Sequence, residues 1–197
     1  MFLPRAVTRT KSCEVEILEL KAVNIHDDPA LKAKAKALYM RAFPREERLP
    51  WWILCLNSRR EGVDLTAFLD GETFCGFTAS VTVGSLHFLL FFAVEDPYRC
   101  MGYGSAILQK LQDEFETLVL NVEPLLPDAP NLSQRERRFA FYRRNGLIDT
   151  GYHVWEVGGK FRVLSTKQEL DVPAYKKIFR KLTFGVWDVR LQKAEDE

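Results

Sequence analysis

Ala93-Val94-Glu95-Asp96-Pro97-Tyr98-Arg99-Cys100-Met101-Gly102-Tyr103-Gly104 is the stretch on which the fold turns. Before it runs an apolar segment, Leu86–Val94; after it come residues 105–115, where Ile107, Leu108, Leu111 and Phe115 recur at helical spacing. The first reads as a buried strand and the second as an amphipathic helix, so the quoted stretch is a strand-to-helix loop. The N–H groups and positive dipole end of a helix's first turn favour an anion, and glycines let successive N–H groups converge on it. The loop is therefore expected to cradle a pyrophosphate. A dinucleotide-binding fingerprint would need a small residue where Ile107 stands, and a Walker loop would need G-K-[ST], which the chain lacks.

Working outward, residues 118–122 read as a short buried strand. Strand, helix and strand in so few residues make a crossover, and a crossover makes the two strands parallel. Upstream, Asp70-Gly71 and Gly84-Ser85 separate residues 65–69, Thr73–Val83 and Leu86–Val94, which predicts an antiparallel meander. Asp28 before Pro29 supplies an N-cap and first-turn proline to a helix carrying Leu31, Ala35, Leu38 and Ala42, and Pro44 stops it. A shorter helix is expected from near Pro50 to before Gly62, and a first strand over residues 14–20. Downstream, Ser133 with Glu136 predicts a capping box, and Asn145-Gly146 a helix stop. Residues 152–157 and 160–164 flank Gly158-Gly159 as a hairpin; a last helix is expected over 173–182 and a short strand over 186–189. The fold class is α/β with one mixed sheet.

The 197 residues suit one domain, expected over 14–190, with a frayed leader over 1–13 and an acidic tail over 191–197. Lysine and arginine number 28 against 27 acidic residues, so no global field draws the chain to nucleic acid, and any anion site must be local. Cys13, Cys55, Cys75 and Cys100 are scattered and cluster with no histidine, which argues against a metal site or disulfide framework and for a reducing, cytoplasmic compartment. Leu86–Val94 is far short of the roughly 20 apolar residues that span a bilayer, and no secretion signal is read behind Met1. No membrane association is expected.

R-x-x-G-x-G (Arg99 to Gly104) after A-V-x-x-P (Ala93 to Pro97) resembles the GNAT superfamily of acyl-CoA-dependent N-acyltransferases. Phe141-Tyr142-Arg143-Arg144-Asn145-Gly146-Leu147 looks like that family's F-Y-x-x-x-G-[FL] helix end. The likeness covers roughly residues 14–165; the last helix and strand look like an extension found in some members. It implies an antiparallel meander, then a parallel pair splayed around the cofactor, with helices on both faces. It also implies acetyl-CoA as cofactor: the backbone of Phe92 and Val94 would hydrogen-bond the pantetheine arm, and Arg99, Cys100, Met101, Gly102, Tyr103, Gly104 and Ser105 would cradle the pyrophosphate. Cys100 and Met101 depart from the glycine and basic residue of many members, at positions that act through backbone N–H.

Acyl transfer from a thioester needs an uncharged amine and a proton for the departing thiolate. The resemblance places Tyr142 beside the sulfur. A phenol of pKa about 10 stays protonated at neutral pH and can hydrogen-bond a leaving thiol of about 8.5. Glu123 follows the strand 118–122 at the end where α/β sheets hold their ligands, and is expected to take the amine proton directly or through water. Asn131 is a further candidate for contacting pantetheine or acceptor. Glu46 and Glu47, beside Phe43, Trp51 and Trp52, are candidates for holding an ammonium group. Arg135, Arg137, Arg138, Arg143 and Arg144 read as a solvated basic face, one of them within reach of the ribose phosphate. The expected function is direct N-acetyl transfer to a small-molecule or peptide amine by a monomer or homodimer. The alternatives are a catalytically silent acyl-CoA-binding module, or an interaction domain on the same scaffold.

Overall fold

The computed structural model describes residues 18–26, 28–156, 159–185 and 188–193. The leader, the start of the expected first strand, the tip of the last hairpin and residues 194–197 of the expected acidic tail fall outside them; residues 191–193 of that tail belong to the last strand instead. The elements in chain order are β1 (Lys21–Asn24), α1 (Pro29–Ala42), a 3-10 turn (Arg45–Glu47), α2 (Trp51–Asn57), β2 (Val63–Asp70), β3 (Thr73–Val83) and β4 (Leu86–Val94). A second 3-10 turn (Asp96–Tyr98) leads to α3 (Tyr103–Glu114), β5 (Thr117–Val122), α4 (Leu132–Arg144), β6 (Ile148–Glu156), β7 (Gly159–Ser165), α5 (Val172–Leu182) and β8 (Arg190–Lys193). All eight described strands form one sheet in the order β1-β2-β3-β4-β5-β7-β6-β8. Only β4 and β5 pair in parallel, as the short crossover through α3 requires.

The turn chemistry decides most of this. Asp28 accepts from the N–H groups of Ala30 and Leu31, both at 2.9 Å, and so starts α1 as its sequence predicts. Gly71 and Gly84 have φ of 56° and 61°, the left-handed values that let β2, β3 and β4 fold back tightly. The sheet is covered on both faces. Its α1, α2 and α5 side buries Leu38, Tyr39, Phe77, Phe88, Tyr175 and Ile178, while its α3 and α4 side buries Phe68, Ile107, Leu108, Leu118 and Leu164.

Three expectations shift. The first described strand sits at Lys21–Asn24; of the expected strand, residues 14–17 lie outside the described residues and 18–20 are not strand, Leu18 and Leu20 packing into the α3-side core, and pairing with β2 begins at Lys21 opposite Leu69. The final described strand lies at Arg190–Lys193; of the expected strand, residues 186–187 lie outside the described residues and 188–189 are not strand, with Val189 buried in the core and pairing beginning at Arg190 opposite Trp155. The Ser133 capping box does not form. Helix α4 starts two residues earlier, with Asn131 at the N-cap making no side-chain cap bond; Gln134 and Arg135 N–H donate to the Asn131 carbonyl instead. Among the described residues no helix is long and apolar enough to cross a membrane.

His87 of β4 is buried, stacked on Phe115 at 3.6 Å between ring centroids, and bonded through Nδ1 to Thr82 Oγ1 at 2.9 Å. Its Nε2 finds no partner among the described residues, and burial pulls its pKa down to about 4. The unfolded chain, with histidine near pKa ~6.5, binds this proton where the folded chain refuses it, so stability is flat above that pH and falls with acidification toward about 4. Between pH 7 and pH 4.5 the loss from this one residue is about 2–3 kcal/mol. Urea unfolding of the wild type and of His87→Gln at both values checks it: the variant's stability is expected to fall less, and equal slopes would refute the assignment.

Candidate active site

The site originates in a register fault. Strands β4 and β5 pair only from Leu86 opposite Thr117 to Leu89 opposite Leu120; beyond that β5 keeps its other neighbour, β7, while β4 keeps β3. The register of β3 and β4 jumps between Ala79 opposite Phe91 and Ser80 opposite Leu89, leaving Leu90 as an extra residue. An extra residue bends its strand and increases the local twist. It also inverts the alternation of β4: Leu86 and Phe88 face the α5 side, whereas Phe92 and Val94 face α3. The two parallel strands therefore diverge, and the β5-facing edge of residues 90–94 has no strand partner among the described residues.

A cleft of ≈ 620 Å³ fills this gap, within the usual range of small-molecule sites. Phe92 and Tyr142 line it from the α3 side, and Phe43 and Phe88 from the other, so it passes through the sheet. Of the residues expected in the site, it gathers Phe92, Val94, Arg99, Glu123, Asn131 and Tyr142 on its wall. Cys100, Met101, Gly102, Tyr103, Gly104 and Ser105 are not on that wall; they follow Arg99 into the start of α3.

That start is built for an anion. Gly102 caps α3 with φ of 90° and no side-chain bond, and the first N–H of the helix with a partner among the described residues is that of Ala106, donating to the Gly102 carbonyl at 2.9 Å. The N–H groups of Tyr103, Gly104 and Ser105 take no acceptor among the described residues, which leaves the helix terminus its free donors. Cys100 stands in the left-handed region at φ of 61°, a conformation that glycine adopts more cheaply. The Tyr103 side chain is structural: it is buried, and its hydroxyl donates to Asp70 Oδ2 at 2.7 Å, tying α3 to the β2-β3 turn. Gly104 has an ordinary φ, and a Cβ there would stand 3.1 Å from Phe141 Cζ, so its smallness admits the Phe141 ring of α4. Arg99 pairs with Asp96 at 2.8 Å and donates from Nε to the Val94 carbonyl at 3.2 Å; both charged partners are more than half exposed, and such a pair is readily exchanged.

Tyr142 is half-buried, and its hydroxyl makes no hydrogen bond with any described residue. Burial raises its pKa to about 12, against the opposing pull of the Arg138 charge. Glu123 is held on all sides: Oε1 meets Arg135 at 3.0 Å and accepts from Asn131 at 3.4 Å, and Oε2 meets Arg138 at 2.7 Å. Asn131 accepts in turn from Arg135 Nε at 2.7 Å. Two of the five arginines of α4 are thus committed to one carboxylate. The aromatic group foreseen for an ammonium does not assemble: Phe43 reaches the cleft, but Trp51 packs 5.6 Å from Tyr39 in the core and Trp52 is 66% exposed. Of the two glutamates beside them, Glu47 lines the cleft, and its pKa is raised by burial and by Glu123.

Sequence reading passed over Asn121 and Glu156, which also line the cleft. Asn121 was the detectable one, a polar residue inside an otherwise apolar strand. Its Nδ2 donates to Glu156 Oε1 at 2.9 Å and its Oδ1 accepts from Tyr175 of α5 at 2.8 Å.

Residues 30–147, more than half of the chain, match the model of the acetyltransferase (GNAT) family. No curated protein matches the chain by sequence. Among solved structures, a GNAT-family protein from Bacteroides thetaiotaomicron is 21% identical with a TM-score of 0.63, covering 86% of this chain and 99% of its own. The ribosomal-protein-S18-alanine N-acetyltransferase of Escherichia coli is 18% identical with a TM-score of 0.56, over 77% of this chain and 96% of its own. The PaiA N-acetyltransferase of Thermoplasma acidophilum, solved with coenzyme A, is 16% identical with a TM-score of 0.51, over 76% of this chain and 99% of its own. The chain belongs to the acetyltransferase (GNAT) family. It is an enzyme of the GNAT N-acetyltransferase type, and acetyl-CoA is its cofactor.

Proposed function

We propose that the chain transfers the acetyl group of acetyl-CoA directly to an amine, carried by a small molecule or a peptide, across the gap between β4 and β5. The observation that carries this is the meeting of a cleft through the sheet, a helix terminus beside Arg99 whose first N–H groups take no acceptor among the described residues, and a tyrosine hydroxyl in the cleft with no hydrogen-bond partner among the described residues. The pantetheine arm lies along the open edge of β4 at Phe92 and Val94, taking the place of a strand. The pyrophosphate sits on the N–H groups at the start of α3, with Cys100, Met101 and Gly102 shaping the approach and Arg99 exchanging Asp96 for phosphate.

The amine then meets the thioester carbonyl where the sheet is open. Tyr142 stays protonated throughout the physiological range and donates its hydrogen to the sulfur as the C–S bond breaks. Glu123, expected to receive the amine proton directly or through water, has both carboxylate oxygens held by arginines and would have to surrender one of them to take it directly. Asn131, fixed by Glu123 and Arg135, offers a polar contact to pantetheine or acceptor at the cleft wall. The free thiols of Cys55, Cys75 and Cys100 suit the reducing cytoplasm, where we place the enzyme as a monomer or homodimer.

Calorimetry with acetyl-CoA, followed by a screen of amines for release of the coenzyme A thiol, tests the proposal. Binding below about 1 mM, a few kcal/mol of affinity, and thiol release with at least one amine are expected. No heat with near-millimolar acetyl-CoA would overturn it.

A further inference from the structure

We propose that Glu156 of β6 is the group that takes the proton from the acceptor amine, held in place by Asn121 of β5 and Tyr175 of α5. This rests on the acetyl-transfer reading above and adds the residue on which its first step depends. An alkylamine in neutral water is an ammonium ion with no lone pair to offer. One N–H proton must leave before nitrogen can attack the thioester carbon, and a second after the C–N bond forms. The C–S bond then breaks, sulfur keeps the electron pair and receives a proton, and the products are amide, coenzyme A thiol and one proton released to solvent.

Three glutamates line the cleft, and their surroundings separate their tasks. Glu123 has both oxygens occupied by arginines. Glu47 is exposed on a 3-10 turn and makes no hydrogen bond that would fix it among the described residues. Glu156 is half-buried, its Oε1 is held by Asn121 at 2.9 Å, and its Oε2 takes no donor among the described residues. Among the described residues no cation pairs with it. The chain Tyr175 to Asn121 to Glu156 runs in one direction: the phenol donates to the amide oxygen, and the amide nitrogen donates to the carboxylate, so Asn121 cannot rotate without losing both bonds.

The placement is as informative as the chemistry. Tyr142 belongs to the α3 side of the sheet, whereas the partner of Asn121, Tyr175, belongs to the α5 side. Asn121 sits at the first position of β5 beyond its pairing with β4, where the sheet opens. A proton donor for sulfur and a proton acceptor for nitrogen therefore stand on opposite faces of one gap, so the amine can add to the carbonyl carbon from one side while the thiolate expelled from the tetrahedral intermediate is protonated from the other. Burial raises the pKa of Glu156, with the Asn121 bond opposing, and a carboxylate so raised is a better match to an ammonium proton. Tyr175 interacts with it electrostatically across Asn121; Arg41, Glu47, Arg99, Glu123, Arg138 and Tyr142 are the other titratable and charged groups on the cleft wall.

The test compares wild type, Glu156→Gln and Asn121→Ala, with kcat/KM measured from pH 6 to pH 10 by thiol release, acetyl-CoA affinity by calorimetry, and melting temperature. The probes are a diaminoalkane, an aminosugar and a peptide with a free α-amine. Glutamine keeps an oxygen for the Asn121 bond, so Glu156→Gln is expected to melt and bind acetyl-CoA as wild type does. Its kcat/KM at pH 7 should fall about 10²–10⁴-fold. The deficit should shrink as pH rises toward the amine's own pKa, where solvent has already removed the proton, while the wild-type profile levels off earlier. Asn121→Ala should lower kcat about 10-fold, through a misplaced carboxylate, with cofactor affinity unchanged. A stable Glu156→Gln enzyme with wild-type activity and pH profile would overturn the role of Glu156 alone. A wild type that binds acetyl-CoA and releases no thiol with any probe would overturn the transferase reading and this role with it.

Discussion

A Tyr142→Phe enzyme is expected to turn over about 10²–10⁴-fold more slowly than wild type while binding acetyl-CoA almost as well. The substitution deletes one hydroxyl that has no hydrogen bond to any described residue, so no protein partner is left unsatisfied and little stability is lost. The hydroxyl's strongest interaction is with charge that develops on sulfur only as the C–S bond breaks, and an interaction made only in the transition state appears in kcat. A pKa raised to about 12 makes the phenol a persistent hydrogen-bond donor at every pH at which the enzyme is assayed. Turnover, acetyl-CoA affinity and melting temperature on the same variant separate the cases. A fully active and stable variant would end the assignment; a loss confined to stability would make Tyr142 a packing residue.

Gly104→Val is expected to weaken acetyl-CoA binding by about 10-fold or more and to cost about 1–3 kcal/mol of stability, the range for overpacking. A Cβ alone would stand 3.1 Å from Phe141 Cζ and 3.4 Å from Cε2, and the two methyls of valine reach further. Phe141 cannot move freely, because its ring lies 5.3 Å from Tyr142 and 6.4 Å from Phe92 between centroids. The strain is relieved by moving the start of α3, which carries the phosphate donors, or the end of α4, which carries Tyr142. Gly104→Ala needs a shift of only a few tenths of an ångström and should retain most of the affinity. Calorimetry on the two variants checks the order; unchanged affinity in Gly104→Val would show that the start of α3 does not hold the cofactor.

The elements legible in the sequence are those specified by local chemistry. Asp28-Pro29, Asp70-Gly71 and Gly84-Ser85 fix backbone geometry within a few residues, and the helix and strands they bound appear where expected. The loop from Arg99 to Gly104 belongs to this class, since its glycine and helix start are local features. What failed depended on distant partners. Ser133 has the letters of a cap, yet Asn131 is the residue at the turn, and its side chain goes to Arg135 and Glu123. The edge strands β1 and β8 lie where β2 and β6 accept them, a matter of register that neither segment encodes alone. Glu156 is separated from Asn121 by 35 positions, and no spacing rule joins them. The Trp51 and Trp52 pair misled because neighbouring residues on a short helix point apart, one to the core and one to solvent.

The extra residue Leu90 has a further effect, on how the chain meets other chains. By bending β4 away from β5 it creates two sheet edges in the middle of a sheet, each with backbone groups that an extended segment can satisfy. Proteins guard outer edges with charge, and the same device is present inside: Arg99, Glu123 and Arg138 stand on the wall of the gap. A pairing segment with apolar side chains would have to desolvate these ions, whereas a slender arm ending in phosphates finds partners for its own charge. The gap thus discriminates by electrostatics against the apolar strands that its geometry would otherwise invite.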